Sequence, residues 1–373
     1  MSALRLIADD LTGALDAAMA FASQAVPVPV FWTAPEGDVA SSFAIDSGTR
    51  DLDAPSARRA VADLVAHLPS FAGDLFFSKL DSLLRGHAAH EISGWLDAMA
   101  LERCVIAPAF PHYGRVTRGG IQMHRAPEGD RPVGARLAED LAALGHNVRL
   151  CRPGDGVPDG ISLWDAESDA DLARLAQAGL AAGGTTLWCG SGGLALALAC
   201  ARPHASGQSG AIDPARLPRP LLGLFGTDHP VTQAQIAACG ETAMALADGG
   251  PASAAAVSAR LVRDGRASVF LDLPGDTARR DAAERIAAAF ARLAHGLTPP
   301  GTLVVSGGET LRALCLALGA ERLDLYGAFE TGVPCSILRG GPFDGVHVVS
   351  KSGAFGDPLL LRRLMFPSEG ERA

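Results

Sequence analysis

The chain alternates short, unbroken apolar runs with longer stretches in which apolar residues recur every three or four positions. Polar or glycine-bearing turns separate the two patterns. Short runs of that kind predict buried strands, and the longer period predicts amphipathic helices. Strands are predicted at Leu4–Ala8, Val28–Trp32, Asp74–Ser78, Arg103–Ala107, Thr185–Trp188, Leu221–Phe225, Ser268–Asp272, Leu303–Ser306 and Val346–Ser350. Helices are predicted at Ala54–His67, His87–Met99, Gly134–Leu144, Asp169–Ala182, Val231–Leu246, Thr277–His295 and Thr310–Leu318. The alternation points to an α/β fold, read here as two α/β domains with largely parallel sheets. Periodicity disappears in Ala201–Pro220, where Pro, Gly, Ser and Gln accumulate. Residues 1–200 are therefore expected to form one domain, 201–219 a linker and 220–373 a second domain.

Composition narrows the partners. The 373 residues suffice for two or three domains, and a 48% hydrophobic content together with abundant Ala and Gly suits helices packed closely on parallel sheets. The formal charge is −9 and no basic run stands out, which argues against nucleic acid or an anionic membrane as the main partner. Small anions stay open, because a pocket with two or three arginines does not depend on net charge. The seven cysteines are scattered and form no C-x-x-C pair, which fits a reducing compartment better than a disulfide framework or a zinc site. No signal-like start and no membrane-length apolar run is present, so a cytoplasmic location is expected.

The candidate chemistry gathers where predicted strands end. Asp9, Asp10, Thr12 and Gly13 follow Leu4–Ala8. Ligands bind at such carboxyl edges in open α/β sheets; a helix cap by Asp10 or Thr12 accounts for one polar residue but not for the pair of acids and the glycine. Lys79, Asp81, Ser82 and Arg85 fall within seven positions after the predicted strand Asp74–Ser78. They offer a cation, a base and a bidentate fork for an anion. A third loop, Ala107 to Gly120, carries Gly114 and Arg115 between prolines and glycines; its histidines are not read as metal ligands, and no metal site is expected.

The second half shows three glycine-bearing turns. Gly226-Thr227-Asp228 follows Leu221–Phe225, Ser306-Gly307-Gly308-Glu309-Thr310 follows Leu303–Val305, and Lys351-Ser352-Gly353 follows Val346–Ser350. Glycine turns at helix starts expose N–H groups and the positive end of the helix dipole, and three of them favour a nucleotide site. Neither a G-x-x-x-x-G-K-[ST] loop nor a G-x-G-x-x-G fingerprint nor a G-x-S-x-G elbow is present.

In this order the motifs resemble the four-carbon acid sugar kinase family, some of whose members carry labels as type III effectors. The resemblance spans nearly the whole chain. It rests on Ala8-Asp9-Asp10-Leu11-Thr12-Gly13-Ala14, Lys79-Leu80-Asp81-Ser82, Leu84-Arg85-Gly86, Pro108-Ala109-Phe110-Pro111, Gly114-Arg115 and Trp164-Asp165-Ala166. Gly190-Ser191-Gly192-Gly193-Leu194-Ala195, Thr232-Gln233, Ser306 to Thr310 and Lys351-Ser352-Gly353 continue it. The resemblance implies an ATP- and Mg²⁺-dependent kinase of a small sugar acid such as threonate, erythronate or an oxo-tetronate. It implies a sugar-acid domain followed by an ATP domain, with the reaction in the cleft between them. Arg50, Arg85 and Arg115 would clamp the substrate carboxylate, with Asp9, Thr12, Ser82 and Gly114 beside it. Asp10 or Asp81 would be the general base and Lys79 would neutralise charge on the transferring group. Thr227, Gly307, Gly308, Glu309, Thr310, Lys351 and Gly353 would meet ATP. Leu83, His87 and Thr227 depart from the family pattern, which usually has Thr, Asn and Ser there. A non-catalytic ligand sensor on the same scaffold, or a kinase of another hydroxy acid, is the competing reading. The oligomeric state stays open, a homodimer included.

Overall fold

The computed structural model describes residues 3–35, 41–69, 73–126, 128–202, 211–226, 229–271 and 279–367. It divides into two compact units, one of Met1–Phe21 with Val28–Gln208, the other of Ala22–Pro27 with Ser209–Ala373. Each unit is built on its own run of parallel strands, as the alternating pattern predicts.

The first unit opens with β1 (Leu4–Ala8), whose five residues are all buried, and α1 (Leu11–Ala18). Then come β2 (Val28–Phe31), β3 (Phe43–Asp46), α2 (Ala54–Ala66), β4 (Leu75–Lys79), α3 (Ala88–Ala98) and β5 (Arg103–Ala107). A small antiparallel sheet of β6 (Arg115–Arg118), β7 (Ile121–His124) and β8 (Arg131–Pro132) interrupts the alternation. The unit closes with α4 (Leu137–Ala143), β9 (Val148–Cys151), β10 (Gly160–Trp164), α5 (Asp169–Ala182), β11 (Thr186–Gly190) and α6 (Gly192–Ala201). Its main sheet runs β2-β3-β1-β4-β11-β5-β10-β9, with every pair parallel. From β1 the chain goes outward to β2 and β3, then returns to place β4 on the other side of β1. That reversal is a topological switch point, where loops splay apart and leave a crevice at the carboxyl edge. In register, Ala8 lies beside Asp46 and Lys79, and Lys79 beside Gly190, so the loops after β1, β3, β4 and β11 leave one edge together.

The second unit contains β12 (Leu221–Phe225), α7 (Pro230–Ala238), β13 (Ala243–Leu246), α8 (Pro251–Asp264), β14 (Arg266–Leu271) and α9 (Arg279–His295). It continues through β15 (Thr302–Ser306), α10 (Gly308–Ala317), β16 (Arg322–Glu330), β17 (Val333–Arg339), β18 (His347–Lys351) and α11 (Leu360–Met365). The order β13-β14-β12-β15-β18 is parallel, and the β16–β17 hairpin is added antiparallel to it. The switch point here lies between β12 and β15. Phe225, Ser306 and Lys351 are register neighbours at the carboxyl edge.

Capping explains many helix starts. Asp10 caps α1, Asp53 caps α2, Ser191 caps α6, and Ser168 with Asp171 forms a capping box on α5. The core of the first unit packs Phe76, Trp95, Ile92, Ile106 and Leu163 between sheet and helices. Among the described residues no helix is long and apolar enough to cross a membrane.

Several elements differ from expectation. The predicted helix Val231–Leu246 stops at Ala238, and its last four residues are strand β13. Cys239 and Gly240 break the helix, and Ala-Met-Ala-Leu then pairs with Ser268–Leu271. The Ala-rich helix α8, the short strand β3, strands β9 and β10 and the β16–β17 hairpin were not expected. Asp272, Thr277 and residues 203–210 of the expected linker lie outside the described residues; its described remainder includes a single turn, Pro214–Arg216, capped by Asp213.

One packing constraint is directly testable. A Cβ added at Gly94 of α3 would stand 2.5 Å from the Arg58 carbonyl oxygen and 3.1 Å from the Ala62 nitrogen of α2. Gly94→Ala should therefore force α2 and α3 apart and lower stability by about 1–3 kcal/mol, the usual cost of overpacking. Chemical denaturation measures it, and an unchanged midpoint would show that the two helices are not seated this closely.

Candidate functional site

At the first unit's switch point two consecutive carboxylates meet one arginine. Arg50 comes from the single helical turn Thr49–Asp51 that follows β3. Its Nε donates to Asp9 Oδ2 at 2.8 Å and a terminal nitrogen donates to Asp9 Oδ1 at 2.9 Å; the other terminal nitrogen reaches Asp10 Oδ2. The Arg50 backbone N–H also donates to the Asp9 carbonyl at 3.3 Å, locking the two loops together. Asp9 is buried, and burial drives its carboxyl up to about 6 against the pull of Arg50, with repulsion from Asp10 adding to the rise. Burial works against the Arg50 charge too, but Asp10 and Asp9 outweigh it and raise its pKa.

Asp10 does two jobs. Its Oδ1 accepts from the Gly13 N–H at 2.6 Å, capping α1, while Oδ2 faces Arg50. Capping and charge pairing thus coexist on one side chain. Gly13 is required by closeness: a Cβ there would lie 2.8 Å from Asp10 Oδ1 and 3.5 Å from Lys79 Nζ. Gly86 closes the same space from the next loop; its φ of +85° suits glycine, and a Cβ would come within 3.2 Å of Asp9 Oδ2.

Lys79 ends β4, nearly buried, with Nζ donating to the Leu80 carbonyl at 3.1 Å and 3.9 Å from Asp16 Oδ2. Asp16, on the buried face of α1, has its pKa raised by burial, and Lys79 opposes the rise. Asp81 accepts both fork nitrogens of Arg85, at 2.7 and 2.8 Å, and the Arg85 backbone N–H at 3.0 Å. Burial alone would raise the Asp81 carboxyl, but hydrogen bonds and charge from Arg85 bring it down to about 2. Arg115 begins β6 and donates to the Tyr113 carbonyl at 3.0 Å; burial lowers its pKa, with Asp81 opposing and Arg85 adding. Gly114 closes the turn before it, its N–H bonded to the Pro111 carbonyl at 2.8 Å. Thr12 stands in the first turn of α1. Ser82 offers its carbonyl to Gln122 Nε2 at 2.7 Å, and Gln122 also accepts from Thr117 Oγ1 at 2.7 Å, tying the Asp81 loop to β6 and β7. His87 stands at the N-terminal boundary of α3 with no side-chain capping bond, and its Nε2 contacts the Leu52 carbonyl at 2.6 Å.

The second unit assembles a different cluster. Lys351, at the end of β18, is buried, and its Nζ donates to Thr232 Oγ1 at 2.7 Å, Ser306 Oγ at 3.1 Å and the Gly353 carbonyl at 3.4 Å. These partners are two hydroxyls and a carbonyl, not a carboxylate. Burial therefore acts unopposed and brings Lys351 down to about 7. Gly307, at φ +107°, turns the chain from β15 into α10 while its N–H donates to the Lys351 carbonyl at 3.0 Å. This glycine, rather than Gly308, holds the left-handed backbone; Gly308 is the first residue of α10, and Glu309 is exposed in its first turn. Thr310 Oγ1 donates to the Gly226 carbonyl at 3.1 Å. Gln235 Nε2 holds the following loop by donating to the carbonyls of Phe355 and Asp357, at 3.1 and 2.8 Å. Thr227 and Asp228 lie outside the described residues.

Within each unit, then, the expected residues that are described follow strands ending at one sheet edge. Sequence reasoning assigned no role to Asp16, Ser47, Thr49 and Glu91 in the first unit, or to Thr232, Gln235 and Ser306 in the second. Thr232 and Ser306 lay in the quoted motifs; the others gave no local signal. Among the described residues no group of three or more His, Cys, Asp or Glu side chains converges to hold a metal ion.

Residues 4–140 match the model of a sugar-binding N-terminal domain, and residues 222–361 match that of a nucleotide-binding C-terminal domain. The chain is 31% identical to a D-threonate kinase of Cupriavidus necator, covering 95% of each. It is 30% identical to a D-threonate kinase of Bordetella bronchiseptica, over 96% of this chain and 95% of that one. A 3-oxo-tetronate kinase of Pseudomonas fluorescens is 28% identical over 95% and 94%. A solved Salmonella typhimurium LT2 chain shares the fold at a TM-score of 0.76 and 20% identity, over 97% and 98% of the two chains. The chain belongs to the four-carbon acid sugar kinase family.

The buried lysine yields a pH signature. Unfolded, Lys351 keeps its proton to about pH 10; folded, it loses it near 7. Between those values the unfolded chain binds the extra proton, so stability rises with pH. Relative to Lys351→Met, the parent should gain about 1–4 kcal/mol between about pH 6.5 and pH 10. Denaturant titrations of both proteins across that range measure it, and a constant gap would mean that Lys351 keeps its proton throughout.

Proposed function

We propose that the protein is an ATP-dependent kinase that phosphorylates a hydroxyl of a four-carbon sugar acid of the threonate, erythronate or oxo-tetronate type. The observation that carries this reading is the buried Lys351, solvated by hydroxyls instead of being neutralised by an acid, beside the N-terminus of α10. A cation so placed is costly until an anion arrives, and free N–H groups at a helix start suit phosphate. Lys351, Gly307, Gly308, Glu309, Thr310, Gly353 and Thr227 would hold the nucleotide. Mg²⁺ would ride on the nucleotide phosphates with few protein ligands, as this ion usually keeps several waters.

In the first unit Arg85 and Arg115 would clamp a carboxylate. Arg115 is bonded to a carbonyl, and Arg85 is 60% exposed on its pair with Asp81, so both forks can turn to a ligand. Arg50 is committed to Asp9 and Asp10 and would shape the pocket from behind, with Thr12, Ser82 and Gly114 completing it. Of the aspartates, Asp81 is tied to Arg85 and Asp9 is buried under Arg50. Asp10 is the most accessible, its side chain 28% exposed, and its oxygens are oriented by the α1 cap and by Arg50. It is the general base in this reading, accepting the hydroxyl proton as the phosphate transfers, and Lys79 offsets charge nearby. Positioning and charge neutralisation carry most of such a reaction. The likeness to D-threonate and 3-oxo-tetronate kinases supports the substrate class. A soluble protein, as monomer or homodimer, in the cytoplasm fits the reading.

A coupled ADP-release assay over tetronates, oxo-tetronates and related sugar acids, with Mg·ATP, is the direct test. Turnover with at least one short acid is expected; intact ATP binding without turnover over the whole panel would favour a ligand sensor.

Asp10→Asn should lower kcat by about 10²- to 10⁴-fold, the usual worth of a general base, while keeping the α1 cap, since Asn caps as well as Asp. Arg115→Ala should weaken acid binding about tenfold or more, equivalent to about 1.4 kcal/mol, and leave ATP affinity unchanged. Calorimetry of both ligands separates the two effects; parent-like kcat in Asp10→Asn would remove Asp10 from proton transfer.

A further inference from the structure

Glu91 sits on the buried face of α3, and the roles assigned above leave it without a task. Its Oε1 lies 2.6 Å from Thr49 Oγ1. Thr49 Oγ1 lies 2.8 Å from Ser47 Oγ, and Ser47 Oγ lies 2.8 Å from the carbonyl oxygen of Ala8. Three oxygen–oxygen contacts of hydrogen-bond length therefore run in a line from α3 to the end of β1. Each needs one hydrogen. The Ala8 carbonyl has none to give, and each hydroxyl has one. With Glu91 ionised, two hydrogens must serve three contacts, and one pair of oxygens is left facing without a proton.

We infer that Glu91 is held as the neutral acid, and that its proton completes a one-way chain: Glu91 to Thr49, Thr49 to Ser47, Ser47 to the Ala8 carbonyl. The chain brackets the site. Ala8 precedes Asp9, and Thr49 precedes Arg50, so the line of hydrogen bonds joins the backbones on both sides of the Arg50–Asp9 pair. Glu91 is thereby a positioning residue, acting through Thr49 on the guanidinium that orients Asp9 and Asp10. When Glu91 ionises, Thr49 must turn its hydroxyl toward the carboxylate, and either the Thr49–Ser47 hydroxyl contact or the Ser47 hydroxyl contact to Ala8 loses its proton; the Ser47 N–H bond to the Ala8 carbonyl remains, but the Arg50 turn loosens.

The surroundings agree. The charged groups facing Glu91 are Asp9 and Asp10 from the loop after β1 and Arg50 from the turn after β3. The charges of the neighbouring helices are engaged elsewhere, Arg58 of α2 with Asp97 and Asp140 of α4 toward His90. Burial, with Asp9 adding, pushes the Glu91 carboxyl up to about 7. The folded chain thus holds this proton over a window, from the ordinary glutamate value to about 7, in which the unfolded chain has released it. Stability falls as pH rises through that window.

The test needs no substrate. In protein labelled with ¹³C at glutamate carboxyls, the Glu91 resonance is assigned by its loss in Glu91→Gln. It should titrate near 7, whereas titration at the ordinary value of about 4.3 would overturn the inference. Hydrogen exchange of the Arg50 Nε–H reads the positioning role. Beyond the intrinsic base-catalysed rise, it should accelerate about tenfold above pH 8 in the parent and stay flat in Glu91→Gln, whose amide donates to Thr49 at every pH. Thr49→Val should show the fast exchange at all pH values. The same pH dependence in parent and Glu91→Gln would remove Glu91 from control of Arg50. A consequence for catalysis, weaker acid binding at alkaline pH, rests on the proposed kinase function; the two readouts above hold or fail without it.

Discussion

Everything at the first unit's sheet edge depends on the guanidinium of Arg50 lying across Asp9 and Asp10. Two carboxylates at consecutive positions repel each other, and Asp9 is buried where an unpaired charge costs several kcal/mol. Arg50 answers both problems, but only because β1 and β3 are parallel neighbours with Ala8 beside Asp46. That register brings the turn after β3 level with the loop after β1, close enough for the Arg50 backbone to bond the Asp9 carbonyl as well. Sheet register, backbone contact and charge pairing are one constraint. A slip in any of them would strand two acids without their cation.

The second unit solves a different electrostatic problem. Lys351 is as deeply placed as Asp9, yet its partners are Thr232, Ser306 and the Gly353 carbonyl. Hydroxyls and carbonyls orient an ammonium without cancelling its charge, so the lysine keeps a field that an anion can meet. The cost is a proton held weakly near neutrality. A carboxylate in their place would stabilise the lysine and compete with any phosphate brought to the loop.

Much of this was legible in the sequence because it is local. Asp9 and Asp10 follow a five-residue apolar run, and Ser306-Gly307-Gly308 joins a strand to a helix, so strand-end clusters could be read off before any tertiary contact was known. What escaped depends on distance along the chain. Glu91 and Thr49 are 42 positions apart, and nothing local in the predicted helix His87–Met99 pairs them. β3 is four residues long and gives no period to recognise. The grouping of Lys79, Asp81 and Arg85 suggested one convergent receptor; instead Arg85 folds back on Asp81, and Lys79 turns toward Asp16. Spacing shows which groups are near one another, not which of them pair.

That pairing bears on selectivity under the proposed function. Arg50, Arg85 and Arg115 stand against Asp9, Asp10 and Asp81, and the protein's net charge of −9 offers an anion no long-range attraction. A carboxylate ligand must therefore win its contacts at short range. Arg50 is half-buried and held by both Asp9 and Asp10, so displacing its acids would leave them uncompensated. Arg85 is exposed, and exchanging Asp81 for a ligand carboxylate trades one charge-assisted fork for another of the same kind. The gain then has to come from what Asp81 cannot provide: contact with Arg115 and with the loop hydroxyls at the same time. A short acid carrying hydroxyls next to its carboxylate satisfies all of these together, whereas a simple carboxylate satisfies only the exchange.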